Sequence, residues 1–476
     1  MEQKNVLHGE AHTDPILDRK ITPWFLIKFA IPTMISMLVF GISGLIDGIF
    51  ASRFIDAYAL SAVGLVSPFI MFVLSIGFMF GIGGNAYIGK EIGAGNFAGA
   101  RKSMTLVTIA ALSGTSILAL IGWIFPDLVL RILGVDADVH AIALGYMIPL
   151  LPFLPLGGMG MVLQQFMITE GKAHYSMIAA LMQGIASAVL NYVFVYMWHM
   201  GIQGAALATG IAWFVPAVVL TVYLFFNRFN KNAILYFVIP RLDFFVLARS
   251  AINGVSEMVG MLSASITQVV MNNILMDLDG AMAVAAAGII LAGAGLAQNV
   301  FVGYSSGIAP IVSYNYGKGD SGNLKKIFKN SLVIVVSLAL ATMVLMFVFT
   351  DALIGVYDID PLVYVGGFIF SLPLYDMAHT GLRLISISWA LQAVVFFTST
   401  FFTALNDGIK SGFIQFCNGF VFLLLFMPIL SGVFGVNGVW LTMPVSDTLT
   451  WGVAVFLLWK YGKRYLTVGK PQMTAL

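Results

Sequence analysis

The stretch GKEIGAGNFAGARK (89–102) returns 224 residues later as SYNYGKGDSGNLKK (313–326), with Gly93, Gly95 and the pair Arg101-Lys102 answered by Gly317, Gly319 and Lys325-Lys326. The same offset carries Phe125, Asp127 and Asp136 onto Phe349, Asp351 and Asp360. Farther along, TEGK (169–172) faces NDGI (406–409) and GIQGAALAT (201–209) resembles GVNGVWLTM (435–443), so the offset has grown by about ten residues. A chain that repeats its own plan is two copies of one structural unit. The extra residues fall near 362–375, an insertion in the second copy.

What fills each copy is set by composition. The 476 residues are 59% hydrophobic and only 10% charged, against roughly 45–50% and about 25% in an ordinary globular domain. A soluble core cannot absorb that much apolar surface. The apolar residues come in runs of about 20, enough for a helix to cross a hydrocarbon layer of about 30 Å. Backbone groups in lipid must bond within the segment, which leaves helices or a closed barrel, and continuous runs rather than alternation point to helices.

Twelve spans are expected, near 24–48, 59–83, 104–125, 139–161, 174–197, 203–226, 245–275, 282–307, 328–349, 383–404, 411–434 and 437–459. The stretch 362–375, 14 residues with two glycines and Pro373, suits an interfacial or re-entrant piece and is counted outside the twelve. The fold expected is all-α: a six-helix N-lobe at 24–227, a polar linker at 228–241 and a six-helix C-lobe at 242–460, between tails at 1–23 and 461–476. The first twenty residues are polar and the run after them lacks a small-residue cleavage site, so no signal peptide is expected.

Basic residues collect in cytoplasmic loops. Placing both termini and the even-to-odd connections on one side puts 21 of the 24 lysines and arginines there, all but Arg53, Arg131 and Arg383. The opposite loops hold Asp56, Asp127, Asp136, Asp138, Asp277, Asp279, Asp351, Asp358 and Asp360. Both termini are therefore expected in the cytoplasm, with the chain in the inner membrane.

No Walker sequence and no Gly-rich phosphate loop after a strand is present, so ATP is not the expected energy source. Six histidines lie scattered and the single cysteine, Cys417, has no partner, which leaves neither a metal set nor a thiol nucleophile. No cofactor, metal or nucleic acid is expected. The remaining chemistry is ion coupling through carboxylates inside the spans: Asp47, Glu257 and Asp447. A buried carboxylate is costly when ionised and so suits proton exchange when exposed to each side in turn. Asp47 is the candidate carrier, although a position near the outer end of its helix also fits a residue that merely reaches water. Pro32, fifteen residues earlier in the same span, removes a backbone hydrogen bond and offers a bending point or a static kink. Glu257 reads as a second coupling site or an interhelical contact, and Asp447, among hydroxyl neighbours in MPVSDTLTW, as a satisfied structural group. Asn191 and Thr209 are polar candidates on spans 5 and 6. Met34, Met37, Met71 and Met79 are candidates for an adaptable substrate chamber, or for packing.

The order of IPTMISMLVFGISGLIDGIF in span 1, GIGGNAYIGKEIGAGNFAGARK after span 2 and LNYVFVYMWHMGIQGAALAT across spans 5 and 6 resembles the multidrug and toxic compound extrusion (MATE) family, from Trp24 to about Lys460. The asparagine pair Asn272-Asn273 looks most like the bacterial branch that includes DNA-damage-inducible protein F and related multidrug exporters. The resemblance implies a V-shaped fold of the multidrug/oligosaccharidyl-lipid/polysaccharide exporter type. It also implies antiport of organic cations and other amphipathic drugs against protons or sodium. By the same resemblance Asp47 matches the span-1 aspartate of the N-lobe cation site, Pro32 its bending proline and Thr209 its span-6 threonine. Where some relatives carry a second aspartate in span 5 this chain has Asn191, with Ser187 before it, and a single carboxylate favours protons over sodium. Glu257 falls in the span where other branches place a C-lobe glutamate. A monomer in contact with membrane lipids is the implied assembly. A lipid-linked oligosaccharide flippase of the same superfamily is the alternative, which should line its cavity with several cations. A remote one is an intramembrane enzyme, which needs clustered catalytic side chains at the membrane interface.

Overall fold

The computed structural model describes residues 19–55, 57–135, 137–230, 233–355, 362–365, 368–371 and 373–467. Among them, eleven helices are long and apolar enough to cross a membrane, and a twelfth span forms when the bent pair Leu374–Ser386 and Trp389–Ala404 is taken as one. Span 1 is Pro23–Phe54, span 2 Ala57–Gly93 and span 3 Phe97–Ile124, followed by a short helix Pro126–Ile132. Span 4 is Ala137–Leu150 continued through a tight turn into Leu154–Thr169, span 5 Ala173–Asn191 with a π-helical end Tyr192–Met197, and span 6 Gly201–Asn227. In the second half, spans 7 and 8 are Phe244–Gly280 and Met282–Lys318, and span 9 is Ser321–Gly355. Span 10 is the bent pair, span 11 runs Gly408–Phe416, a π-helical stretch Cys417–Phe422 and Leu423–Phe434, and span 12 is Val436–Thr467.

The duplicated motif is a helix stop followed by a helix start. Gly95 and Gly319 both take left-handed φ, +80° and +79°, the conformation that ends a helix and that glycine adopts without strain. The next residue then caps the following span: Asn96 Oδ1 accepts from the Gly99 N–H at 3.0 Å, and Asp320 Oδ1 from the Asn323 N–H at 2.9 Å. Two glycines and a short polar side chain thus turn the chain back into the membrane in each half.

The second half departs from the first in two places. Within the 362–375 stretch, β1 (Leu362–Val365) runs antiparallel to β2 (Phe368–Ser371), with Val365 opposite Phe368, and Pro373 already begins the first helix of span 10. Val, Ile, Tyr and Phe favour strands, and Gly366-Gly367 has the sequence of a two-residue hairpin turn. Span 10 also begins earlier than 383 and bends by 53° between its two helices. Ser388 lies in the break, its backbone N–H bonded to the Ile385 carbonyl at 3.2 Å in a tightened turn.

The halves meet backbone to backbone at the end of the bundle that carries the basic loops. A Cβ on Gly254 would stand 1.8 Å from the Met79 carbonyl oxygen, one on Gly83 2.0 Å from that of Ser250, one on Gly93 2.0 Å from that of Tyr314, and one on Gly317 2.1 Å from that of Lys90. Span 2 therefore lies directly on spans 7 and 8. Asn406, at φ +60°, donates to the Ala86 carbonyl at 3.0 Å and accepts from Asn253 at 2.8 Å, a side-chain bridge across the same seam. Deeper in the bundle span 1 packs on span 8, with Gly303 against Met34 and Gly307 against Ala30.

The segment after span 6 is held to the first half. Glu170 Oε1 accepts from Lys172 at 2.9 Å, Asn227 at 3.0 Å and the Ile234 N–H at 3.2 Å. Arg101 donates to the carbonyls of Ile234 and Ala233 at 2.8 and 3.2 Å.

Candidate functional site

Span 1 carries the site along one face. Thr33, Ser36, Met37 and Phe40 line a cavity, and Asp47 recurs seven residues after Phe40, two helical turns along the same stripe. Asp47 is half-buried, and three neutral donors converge on it from two neighbouring spans. Ser187 Oγ donates to Oδ1 at 2.8 Å, Asn191 Nδ2 to Oδ1 at 2.8 Å, and Thr209 Oγ1 to Oδ2 at 3.1 Å. Ser187 and Asn191 are one turn apart on span 5, so both face span 1, and the π-helical stretch begins at the residue after Asn191. Gly184, one turn earlier, lets spans 1 and 5 approach: a Cβ there would meet Val39 at 2.7 Å.

The sequence thus named all three partners of Asp47. It missed Tyr146, buried in span 4 against Thr209 and within electrostatic reach of Asp47; a phenol in an otherwise apolar span was the available signal. The bonding partners of Asp47 among the described residues are all uncharged, and none of them supplies its ionised form with a compensating cation. A proton or a small cation arriving from outside supplies what the protein does not. The arrangement includes a spare acceptor, because Asn191 Oδ1 is buried without a hydrogen-bond partner. No group of three or more His, Cys, Asp or Glu residues with metal-holding geometry occurs among the described residues.

The cavity lies inside the first half, between spans 1, 2, 4, 5 and 6, with about 610 Å³ of empty space. Phe40, Phe78 and Trp213 give it aromatic walls, and Gln164, Gln165 and Gln183 give it polar ones. Among the described residues no lysine or arginine lines it. Of the four candidate chamber methionines only Met37 reaches it. Met34 packs on Gly303 of span 8, and Met79 is buried with its carbonyl against Gly254, so these two belong to the seam between halves. Met71 does not line the cavity either.

Span 1 continues as one helix through Pro32, whose carbonyl accepts from Ser36 Oγ at 2.9 Å. The residue sits at the foot of the cavity-lining stripe, where its ring leaves the helix one bond short. Glu257 stands apart from Asp47, half-buried on span 7. Asp447 is buried on span 12 and bonded to Ser388 and Asn418.

Two duplicated six-span halves, the first enclosing a cavity with a half-buried carboxylate on the helix that lines it, define a polytopic membrane transporter. The MatE family profile matches residues 32–197 and 258–429, and the chain belongs to the MATE family. Multidrug export protein MepA of Staphylococcus saprophyticus is 22% identical over 448 residues, covering 94% of this chain and 96% of that protein. Among solved structures, a multidrug resistance MATE family transporter in an outward-facing conformation superposes with a TM-score of 0.84 at 21% identity, over 96% of this chain and all of the other. The Vibrio cholerae MATE transporter VcmN, solved as an aspartate-to-asparagine mutant, superposes with a TM-score of 0.81 at 18% identity, over 92% and 96% of the two chains. These likenesses fix the fold.

Proposed function

We propose that this transporter is a multidrug exporter that exchanges organic cations and other amphipathic compounds for protons across the cytoplasmic membrane, with both termini in the cytoplasm. The observation that carries the reading is the position of Asp47, a carboxylate with only neutral partners on the same helical stripe as the cavity-lining side chains. Protonation removes the charge that draws the Ser187, Asn191 and Thr209 donors inward. Those bonds then weaken, and span 1 shifts against spans 5 and 6, with Pro32 as the weak point at its base. The walls of the cavity move with span 1 and the bound compound is released outside. Loss of the proton toward the cytoplasm restores the bonds and the binding form.

Aromatic walls with scattered amides suit amphipathic ligands of varied shape. MepA, the relative named above, is a multidrug export protein, which supports the same substrate class. The flippase alternative requires cations around a pyrophosphate, and the described residues of the cavity wall include none. A lone carboxylate supports protons over sodium, whose tight binding calls for more negative charge.

The test is transport of a fluorescent organic cation into liposomes under a proton gradient without sodium, for the wild type and Asp47→Asn. Gradient-driven uptake by the wild type alone is expected. Uptake that requires sodium, or that persists in Asp47→Asn, would overturn the assignment.

A further inference from the structure

The second half contains a polar cradle built like that around Asp47, from other elements. Asp447 is 3% exposed on span 12. Its Oδ2 accepts from Ser388 Oγ at 2.6 Å and its Oδ1 from Asn418 Nδ2 at 3.3 Å. Asn418 Nδ2 also donates to Thr450 Oγ1 at 3.2 Å, and the Asn418 carbonyl accepts from Ser446 Oγ at 2.9 Å. As in the first half, an aspartate accepts from one serine and one asparagine; here the threonine bonds the asparagine rather than the carboxylate, and a second serine, Ser446, joins the cluster.

The placement is similar too. Asn418 lies within the π-helical stretch of span 11, and Asn191 immediately precedes that of span 5. Ser388 lies at the 53° break of span 10. Asp447 therefore grips two helices at the points where their backbone ladders are interrupted. Such irregular turns yield more readily than regular helix and gather at functional sites. A carboxylate kept only to tie helices together is a poor choice at this depth, because an amide or hydroxyl would make the same bonds without the cost of a buried charge.

Among the described residues no charge from the packed elements compensates it; the hydrogen-bonding groups acting on Asp447 are Ser388 and Asn418. Of the titratable residues on those elements, Arg383 of span 10 stacks on Phe347, His379 of span 10 pairs with Asp351 of span 9, which also bonds Tyr375, Lys410 of span 11 pairs with Asp407, and Lys460 of span 12 lies over the Phe456 and Tyr461 rings. Cys417, beside Asn418, is buried and forms no disulfide, and among the described residues Glu257 of span 7 makes no bond to the cluster.

We propose that Asp447 is a second proton-coupling site, in the C-lobe, so that each transport cycle moves two protons, one through each half. This rests on the proton-antiport reading. Protonation of Asp447 loosens its hold on Ser388 and Asn418, and the bend of span 10 and the π-helical stretch of span 11 readjust together. Release of the proton to the opposite side resets them.

The experiment measures the limiting accumulation of a monovalent fluorescent cation in liposomes with the membrane potential clamped at zero and a pH difference of one unit. Two coupled protons support a limit of about 100-fold and one proton about 10-fold, since each pH unit contributes a factor of ten per proton. The wild type is expected to approach the higher limit and Asp447→Asn the lower. An Asp447→Asn limit equal to that of the wild type overturns the second site while leaving antiport standing. Absence of any pH-driven accumulation by the wild type instead overturns the antiport reading itself. If Asp447→Asn does not fold, Ser388→Ala decides: it keeps the carboxyl group, so the 100-fold limit should remain while the pH of half-maximal rate moves. An unmoved profile there counts against the site.

Discussion

Asn191 aims its amide nitrogen at Asp47 Oδ1 from 2.8 Å and leaves its own carbonyl oxygen buried and without a partner. A buried orphan acceptor costs about 1–3 kcal/mol, and here it stands beside the carboxylate that an incoming ion must neutralise. Replacing Asn191 with aspartate at nearly constant shape adds a second negative charge where that acceptor lies. Asn191→Asp is expected to make uptake respond to a sodium gradient that leaves the wild type unmoved. Asn191→Leu, which removes both the donor and the acceptor, should slow proton-driven uptake by about tenfold or more, in line with loss of a charge-assisted bond of about 1.5–3 kcal/mol. Initial rates in liposomes under separate sodium and proton gradients check both.

The contacts of Gly83 and Gly254 set a second expectation. Each would drive a Cβ into the other half's backbone, 2.0 Å from the Ser250 carbonyl oxygen and 1.8 Å from the Met79 one. Overpacking of this kind costs about 1–3 kcal/mol, and it is avoided when the halves part. Gly83→Ala or Gly254→Ala should therefore favour the form open at this end. A cysteine introduced by Ser313→Cys, at a site buried in this seam, reports it in a Cys417→Ser background. Its labelling by a soluble maleimide should speed up about tenfold with either alanine. Gly452→Ala, where a Cβ meets nothing within 4 Å, should leave the rate unchanged.

The clamp on the segment after span 6 yields a pH expectation. Burial alone would lower the Lys172 pKa, but the Glu170 carboxylate and Tyr223 outweigh it and hold the lysine above its ordinary 10.5. A base held above its ordinary value contributes stability that is fully present below that value and is lost as pH rises through the higher folded one. The clamp should therefore be indifferent to pH through the neutral range and loosen only in strong alkali. Arg101→Ala, which removes two bonds to the Ala233 and Ile234 carbonyls, should loosen it at any pH. Faster tryptic cleavage at Arg228 or Arg241 would register the release.

The parts legible in the sequence were those fixed by local chemistry. Gly95-Asn96 and Gly319-Asp320 are a helix stop and a cap wherever they occur, so the duplicated turn, the span count and the two halves followed. Asp47 with Ser187, Asn191 and Thr209 was legible because span 1 resembles a known pattern and because Ser187 and Asn191 are four apart, hence on one face. The cavity wall was not legible. A helix in lipid is apolar all round, so hydrophobic periodicity does not tell a lining residue from a packed one. Met37 and Met34 look alike in the sequence, yet one faces the cavity and the other the second half. The better signal was polar: Gln164, Gln165 and Gln183 are costly in a membrane unless they face a partner or a cavity. The partners of Asp447 were hidden because they come from spans 10 and 11, and the sequence of span 12 does not say which faces of those helices it meets.

The same distinction supplies a further expectation. Trp213 lies across the cavity from the span-1 stripe and also backs Gly157, where a Cβ would meet its own Cβ at 3.4 Å. It is the largest apolar surface in the wall, and a large aromatic group stacks on flat cations and attracts them electrostatically, by about 0.5–1 kcal/mol or more. Removing it takes away contact made with the bound compound but not the proton site, because Asp47 bonds to spans 5 and 6 through other residues. Trp213→Ala should therefore raise the KM for a flat aromatic cation by about tenfold and change the KM for a non-aromatic quaternary ammonium less, with the pH profile kept. Met37→Ala should shift the same ratio by a smaller factor, and Met71→Ala should leave it where it was. A uniform loss of rate for all compounds in Trp213→Ala would mean that the indole only supports the packing of spans 4 and 6.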